Sequence, residues 1–278
     1  VNWRCNGLTY HGKLSGSGDE VILFLHGFTG SHRSWEPFFP LIDKQYRLLA
    51  IDLIGHGKTE APDDPARYDI EKTASDLAEL LQQLDAAKAH LVGYSMGGRV
   101  AITFASLYPD RVASLFLESA TPGLQTEQER ADRRNSDALL AQKIEEEGLS
   151  AFIDYWENIP LFASQQSLPN EVKRRLRKER MSHQPMGLAN SLRGMGTGSM
   201  PSWWDRLQEF HMPVHLITGE LDHKFCQIAR RMKEQNPRFQ HTVIPAAGHT
   251  VHLEQPQAFA HLLKQFFTNH SEGIKRDT

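Results

Sequence analysis

Residues 93 to 97 read Gly93-Tyr94-Ser95-Met96-Gly97, and they lie between two patterns of different period. Before them, His90-Leu91-Val92 is a short apolar run of the kind that makes a buried strand. After them, Arg99-Val100-Ala101-Ile102-Thr103-Phe104-Ala105 has the length and composition of a helix start. G-x-S-x-G in that context is a sharp strand-to-helix turn. Its glycines let the backbone bend tightly and expose the serine oxygen at the helix N-terminus. A five-residue pattern alone arises by chance, but the strand before it, the helix after it and a further Gly98 agree here on a functional elbow.

Working outward, short aliphatic runs alternate with longer amphipathic stretches, the signature of βαβ units and a mostly parallel sheet. Strands are expected at Val21 to Leu25, Arg47 to Asp52, His90 to Tyr94 and Ser114 to Glu118, and later at Val214 to Gly219 and Thr242 to Pro245. Leu8 to Leu14 is expected as an antiparallel edge. Helices are expected over Ile70 to Leu84, capped by Asp69, over Ser95 to Tyr108, stopped by Pro109, and near Cys226 to Gln235 and Pro256 to Thr268. The stretch from Pro122 to Asp205 breaks the rhythm with helical periodicity, many charges and no strand. It is expected as a helical cap (122–205) inserted into an α/β core (1–121 and 206–278). Crevices of open α/β sheets lie at the C-terminal strand edge, where such an insertion can wall a pocket.

The chain has 278 residues, enough for about two domains or one large domain with an insertion. Its 31 Lys plus Arg against 34 Asp plus Glu leave a net charge of −3, which argues against a nucleic-acid binder carried by bulk basic charge. No apolar run reaches the length of a membrane span, and Val1 to Tyr10 lacks the basic start and apolar stretch of a signal peptide. A cytoplasmic protein is therefore expected, its oligomeric state left open. The only cysteines, Cys5 and Cys226, occupy no metal-ligand spacing and read as reduced packing residues.

A serine needs a histidine to take its proton and a carboxylate to orient that histidine. Asp222 follows the Val214 strand in Gly-Glu-Leu-Asp, and His249 follows the Thr242 strand in Ala-Gly-His. Glu220 is the second choice of acid, because Asp222 falls further into the loop. His252 and Glu254 do not form H-E-x-x-H, so a role in supporting the site or in packing is expected of them and no metal site. His26-Gly27-Phe28-Thr29-Gly30 follows the first strong strand, where the Phe28 amide would join that of Met96 in an oxyanion hole.

Arg99 lies one helical turn beyond Ser95, so it can share the serine's face. In the cap, Arg130, Arg133 and Arg134 stand at helical spacing, and which of them faces a pocket stays open. Six of the eight residues Lys173 to Arg180 are basic, mostly a solvated face. The Gly194 to Gly198 alternation reads as a cap turn, since no strand-to-helix crossover supports a dinucleotide site.

Leu25-His-Gly-Phe28, Asp52-Leu-Ile-Gly-His-Gly57, the Ser95 elbow, Gly219-Glu-Leu-Asp222 and Ala247-Gly-His249 together resemble the α/β-hydrolases, from about Leu8 to Phe267. Further pieces resemble one family within them: Ser95-Met-Gly-Gly-Arg99, Pro122-Gly-Leu-Gln125 with Arg130 and Arg133, Trp156 with Pro160-Leu-Phe162, Arg180, and Gly196-Thr-Gly198 with Trp204. These are similar to the 2-succinyl-6-hydroxy-2,4-cyclohexadiene-1-carboxylate (SHCHC) synthases of menaquinone biosynthesis. Those lyases eliminate pyruvate from 2-succinyl-5-enolpyruvyl-6-hydroxy-3-cyclohexene-1-carboxylate.

The resemblance implies a triad of Ser95, Asp222 and His249, and binding of substrate carboxylates by Arg99, Arg133 and Arg180, with Arg130 an alternative in the cap. It also implies a pocket wall of Tyr94, Trp156 and Phe162, with the Trp203/Trp204 pair an alternative to Trp156. The partner implied is a small-molecule tricarboxylate, and the chemistry calls for no metal or organic cofactor. Two other readings stand beside it: a serine ester, thioester or C–C bond hydrolase acting on a small acidic substrate, and a non-catalytic ligand-binding member of the fold.

Overall fold

The computed structural model describes residues 1–42 and 45–274. Eight strands form one sheet in the order β1-β2-β4-β3-β5-β6-β7-β8. They are β1 (Asn2–Cys5), β2 (Leu8–Ser15), β3 (Glu20–Leu25), β4 (Tyr46–Ile51), β5 (Ala89–Tyr94), β6 (Val112–Glu118), β7 (Val214–Gly219) and β8 (Gln240–Ile244). β2 runs antiparallel to both of its neighbours, β1 and β4, and every other neighbour pair is parallel. The expected strands are present within two residues of their bounds. β1 is an addition: its Asn-Trp-Arg-Cys alternation is too short to stand out, and only pairing with β2 makes it a strand.

The helices of the core are α1 (Ile70–Gln83), α2 (Met96–Leu107), α6 (His223–Gln235), α7 (Val251–Glu254) and α8 (Pro256–Ile274). Asp69 caps α1 by accepting from the Glu71 and Lys72 amides at 2.9 and 3.1 Å. The period-2 alternation of β3 sorts its side chains between two cores. Val21, Leu23 and Leu25 pack with α1 and α2 on one face, together with Ala229 and Met232 of α6. Ile22 and Phe24 pack on the other with Trp35, Phe38 and Phe259, Leu263 and Phe267 of α8. Covering both faces lets parallel strands be apolar throughout.

Between β6 and β7 lie α3 (Glu127–Trp156), α4 (Asn170–Arg180) and α5 (Pro185–Met195), with no strand among the described residues. Thr126 and Glu129 close a reciprocal capping box at the start of α3. The helix breaks at Gly148, whose φ of 83° and ψ of 167° are non-helical. This segment has its own apolar cluster of Ala141, Ile144, Phe152, Ile153, Leu188, Ala189 and Leu192, against which Phe28 and Trp156 pack. The cap is thus joined to the core partly through the turn that carries Phe28. No helix of the described residues is long and apolar enough to cross a membrane. Cys5 and Cys226 are free and buried.

Candidate active site

Ser95 is the single residue between β5 and α2, with φ 49° and ψ −106°. A non-glycine residue held there stores strain, and the surroundings must impose it. Its amide donates to the Glu118 carbonyl at 2.9 Å, and its carbonyl accepts from the Arg99 amide at 3.0 Å. The glycines explain the tightness. A Cβ on Gly97 would lie 2.2 Å from the Leu25 carbonyl oxygen, and one on Gly93 2.7 Å from Gly97 O. Gly97→Ala is therefore expected to push α2 away from β3 and cost about 2–4 kcal/mol, a loss read as a lowered Tm together with lost activity.

Asp222 starts α6, and its Oδ1 accepts from the Phe225 amide at 3.3 Å while Oδ2 lies 2.7 Å from His249 Nδ1. A carboxylate can only accept, so Nδ1 carries the proton and His249 Nε2, 3.0 Å from Ser95 Oγ, is the acceptor for the hydroxyl. Glu220 is engaged elsewhere, accepting from the Ala246 amide. Glu254 holds the histidine loop from both sides, accepting from the Gly248 amide at 2.7 Å and the Thr250 amide at 3.1 Å. His252 pairs with buried Glu118 at 2.7 Å and packs on Trp35. Glu254 thus supports the histidine loop through backbone amides, contacts that no side-chain motif records.

The turn after β3 is fixed by a buried histidine. His26 Nε2 accepts from the Leu53 amide at 2.9 Å, so Nδ1 carries the proton and donates to the Gly27 carbonyl at 2.7 Å. In a trans peptide the N–H points opposite the C=O, so this bond turns the Phe28 N–H the other way. No hydrogen bond from the Phe28 or Met96 amide is found among the described residues, and the Met96 amide opens α2, where no helical partner exists.

His183, between α4 and α5, ties the cap to the same turn. It donates from Nε2 to the Thr29 carbonyl at 2.8 Å and accepts from the Gly57 amide at 3.0 Å. His56 stands between the rings of His26 and His183, at 5.1 and 5.4 Å. Burial pushes all three histidines down, His26 to about 4. The unfolded chain then binds more protons than the folded one between about pH 6.5 and 4, so stability falls as pH falls through that window. A Tm that declines across it, with a shallower decline in His183→Gln, is the expected result.

The triad opens on an inner chamber of about 130 Å³, lined by Ser95, His249, Met96, Arg99, Arg133, Asp137, Trp156 and Lys224 among others. A larger outer chamber of about 720 Å³ lies between cap and core and is lined by Arg180, Gln165, Phe38, Leu176 and Leu253 among others. Phe28, Tyr94 and Phe162 line both, so the chambers meet at these rings. The outer one is the larger void, but it touches neither Ser95 nor His249, which face the inner one.

The arginines separate accordingly. Arg99 is buried with no ion pair among the described residues; its guanidinium donates to the Met195 carbonyl and lies 3.8 Å from Met200 Sδ. Burial, and then repulsion by Arg133, push it down to about 10. Arg133 lines the same chamber and pairs with Asp137 through Nε at 2.8 Å. Arg180 is buried on the outer side, bonded to Glu157 at 3.2 Å and Gln165 at 3.3 Å, with its Nε unpartnered. Gln165 continues through Thr250 to the Tyr94 hydroxyl, at 2.9 and 2.7 Å, which links the cap to residues flanking both Ser95 and His249.

Arg130 is not brought to either chamber. Glu127 takes its guanidinium at 2.9 Å, together with the Leu124 and Gln125 carbonyls. Arg134 likewise turns to Glu127 and the Gly198 carbonyl. Trp156 stacks on Phe152 and meets Phe28 and Phe162 edge-on, with its indole Nε1 buried and unpartnered. Trp203 and Trp204 instead pack in the core, their indoles donating to Thr103 and the Gly123 carbonyl. Away from the site, His11, His32 and Asp52 bring three ligand-type atoms within 4.8 Å. Asp52 is already held by the His32 ring and by the His32 and Lys58 amides, a hydrogen-bonded support for the loop that ends at Gly57.

Residues 20–256 match a family model described as alpha/beta hydrolase fold. A Bacillus subtilis (strain 168) protein provisionally named 2-succinyl-6-hydroxy-2,4-cyclohexadiene-1-carboxylate synthase is 49% identical over 250 residues, 90% of this chain and 91% of that one. The chain belongs to the SHCHC synthase family of α/β-hydrolases. An SHCHC synthase from Enterobacter sp. (strain 638) is 33% identical over 94% of this chain and 95% of its own. The solved structure of MenH from S. aureus superposes with a TM-score of 0.90 at 34% identity, covering 94% of this chain and 99% of that one. Membership of the SHCHC synthase family thus spans core and cap alike.

Proposed function

We infer that this chain is an SHCHC synthase, a carbon–oxygen lyase that eliminates pyruvate from 2-succinyl-5-enolpyruvyl-6-hydroxy-3-cyclohexene-1-carboxylate. The observation that carries the reading is Arg99: a buried guanidinium with no salt bridge among the described residues, the acid that faces it, Asp137, being bonded to Arg133, and it lines the same chamber as the Ser95 hydroxyl. An unpaired buried cation is costly, and an anionic substrate supplies the missing charge. A simple ester hydrolase has no need of it.

In the proposed reaction Ser95 passes its proton to His249, held in the right tautomer by Asp222, and takes the ring proton next to the succinyl ketone. The electron pair moves onto the ketone oxygen, where the Phe28 and Met96 amides stabilise it. Returning through the ring double bond, it breaks the bond to the enolpyruvyl oxygen. The leaving group takes up a proton to become pyruvate, and the ring keeps the new double bond. Arg99 and Arg133 hold substrate carboxylates on the inner side and Arg180 one on the outer side, with Tyr94, Trp156 and Phe162 as the wall between. The inner chamber alone is too small for a substrate with three carboxylates, so the substrate spans the junction. A small tricarboxylate is thus the partner of this site, and a cytosolic setting suits a biosynthetic step on so polar a molecule.

Supplying the enolpyruvyl precursor to purified protein tests the reading. Pyruvate is expected to appear mole for mole with precursor loss, well above uncatalysed decay. Folded protein that leaves fresh precursor at its uncatalysed rate would return the chain to the hydrolase reading.

A further inference from the structure

Asp137 is the only carboxylate among the residues lining the inner chamber, a wrong-signed group in a site read as receiving anions. It is 2% exposed. Its Oδ1 accepts from Arg133 Nε at 2.8 Å, and its Oδ2 has no hydrogen-bond partner. Oδ2 packs instead against Gly196, where a Cβ would come within 2.4 Å of it. Burial pushes the carboxyl up against the pull of Arg133 and then Arg99, the two charged groups that face it. A buried acid with one oxygen idle is costly, so its presence calls for a reason.

The geometry supplies one. A guanidinium offers two distinct edges for carboxylates, and Asp137 occupies the Nε edge of Arg133. No other partner of the Arg133 guanidinium is found among the described residues, which leaves its paired Nη groups free to meet a ligand end-on. The Arg133 side chain is 40% exposed, so without an anchor its long arm would be spread over many rotamers. Asp137 also offsets the repulsion between Arg133 and Arg99, being the group that pulls Arg99 back up.

We propose that Asp137 is a positioning residue for this reaction: it grips Arg133 by Nε so that the Nη pair faces the inner chamber and takes a substrate carboxylate. This rests on the proposed function, in which Arg133 meets substrate. The acid is worth its repulsion of the substrate because it converts a mobile cation into an oriented one.

The test compares Asp137→Leu, Asp137→Asn, Arg133→Ala and the Asp137→Leu/Arg133→Ala double variant. Two readouts are used: KM and kcat for pyruvate release, and calorimetric binding of benzene-1,2,4-tricarboxylate. Asp137→Leu is expected to raise KM and weaken tricarboxylate binding by about 10-fold, as much as Arg133→Ala, with kcat within a few-fold. Asp137→Asn, which keeps an acceptor for Nε, should recover most of this. The double variant should be no worse than Arg133→Ala alone, since each change removes the same interaction.

Unchanged KM and binding in Asp137→Leu, or additive losses in the double variant, would overturn the proposal. If Asp137→Leu does not fold, Asp137→Ser, whose shorter side chain does not reach Arg133 Nε, decides: it should lose as much as Arg133→Ala, and unchanged KM and binding in it would overturn the proposal. Failure of the functional reading is separate, since the wild-type protein would then release no pyruvate while the binding comparison still reports on Asp137.

Discussion

Replacing Ser95 with alanine is expected to lower the single-turnover rate of pyruvate release by about 10⁴-fold once uncatalysed loss is subtracted. The serine oxygen is the only hydrogen-bond partner of His249 Nε2 among the described residues, at 3.0 Å. Removing it leaves the histidine with nothing to activate. The Phe28 and Met96 amides and the arginines remain, so some rate enhancement over water persists while substrate binding changes little. The fold is expected to hold, because the elbow is fixed by the Ser95 backbone and by glycines 93, 97 and 98 rather than by the hydroxyl. Release of pyruvate at near-normal rate by Ser95→Ala would remove serine from the chemistry.

Arg99→Met has the second-largest effect, and its two readouts move in opposite senses. The guanidinium is buried beside Ser95 with no acid bonded to it among the described residues, Asp137 being held by Arg133, and the cost of holding it there is borne by the free protein. Methionine fills similar volume without charge. kcat/KM is expected to fall by about 100-fold or more, the usual loss when one partner of a buried charged pair is removed. Tm should stay level or rise, since losing a donor to the Met195 carbonyl offsets only part of the relieved desolvation. A kcat/KM equal to wild type would make Arg99 a purely structural residue and remove the observation on which the assigned function rests.

The elbow and its two partners were legible in the sequence because each sits at a strand end, where a few local residues set the backbone and the strand pattern gives the address. Asp222 was separable from Glu220 for the same reason, and the structure turns Glu220 to the Ala246 amide. The cap is different. Arg130, Arg133 and Arg134 lie within five residues on one helix, and their directions are decided by where Glu127, Asp137 and the Gly198 carbonyl lie. Of these, the Glu127–Arg130 spacing of three residues and the Arg133–Asp137 spacing of four were readable signals, and both resemble any surface helix pair. The division of arginines between two chambers, the Gln165–Thr250–Tyr94 link and the His183 tie to the Thr29 turn depend on how the cap lies over the sheet. No one-dimensional pattern encodes those contacts, which join residues up to 156 positions apart.

The net charge of −3 is compatible with all of this because charge is distributed unevenly: acids pair with most cap arginines at the surface, while Arg99 inside has no salt bridge among the described residues. The most direct test of the elimination is the single-turnover rate of pyruvate release from precursor deuterated at the ring carbon next to the succinyl ketone. Abstraction of that proton through Ser95 and His249 predicts a rate several-fold below that of the unlabelled precursor, or else loss of the deuterium to solvent ahead of pyruvate. Equal rates with the deuterium retained up to the moment pyruvate is released would contradict it.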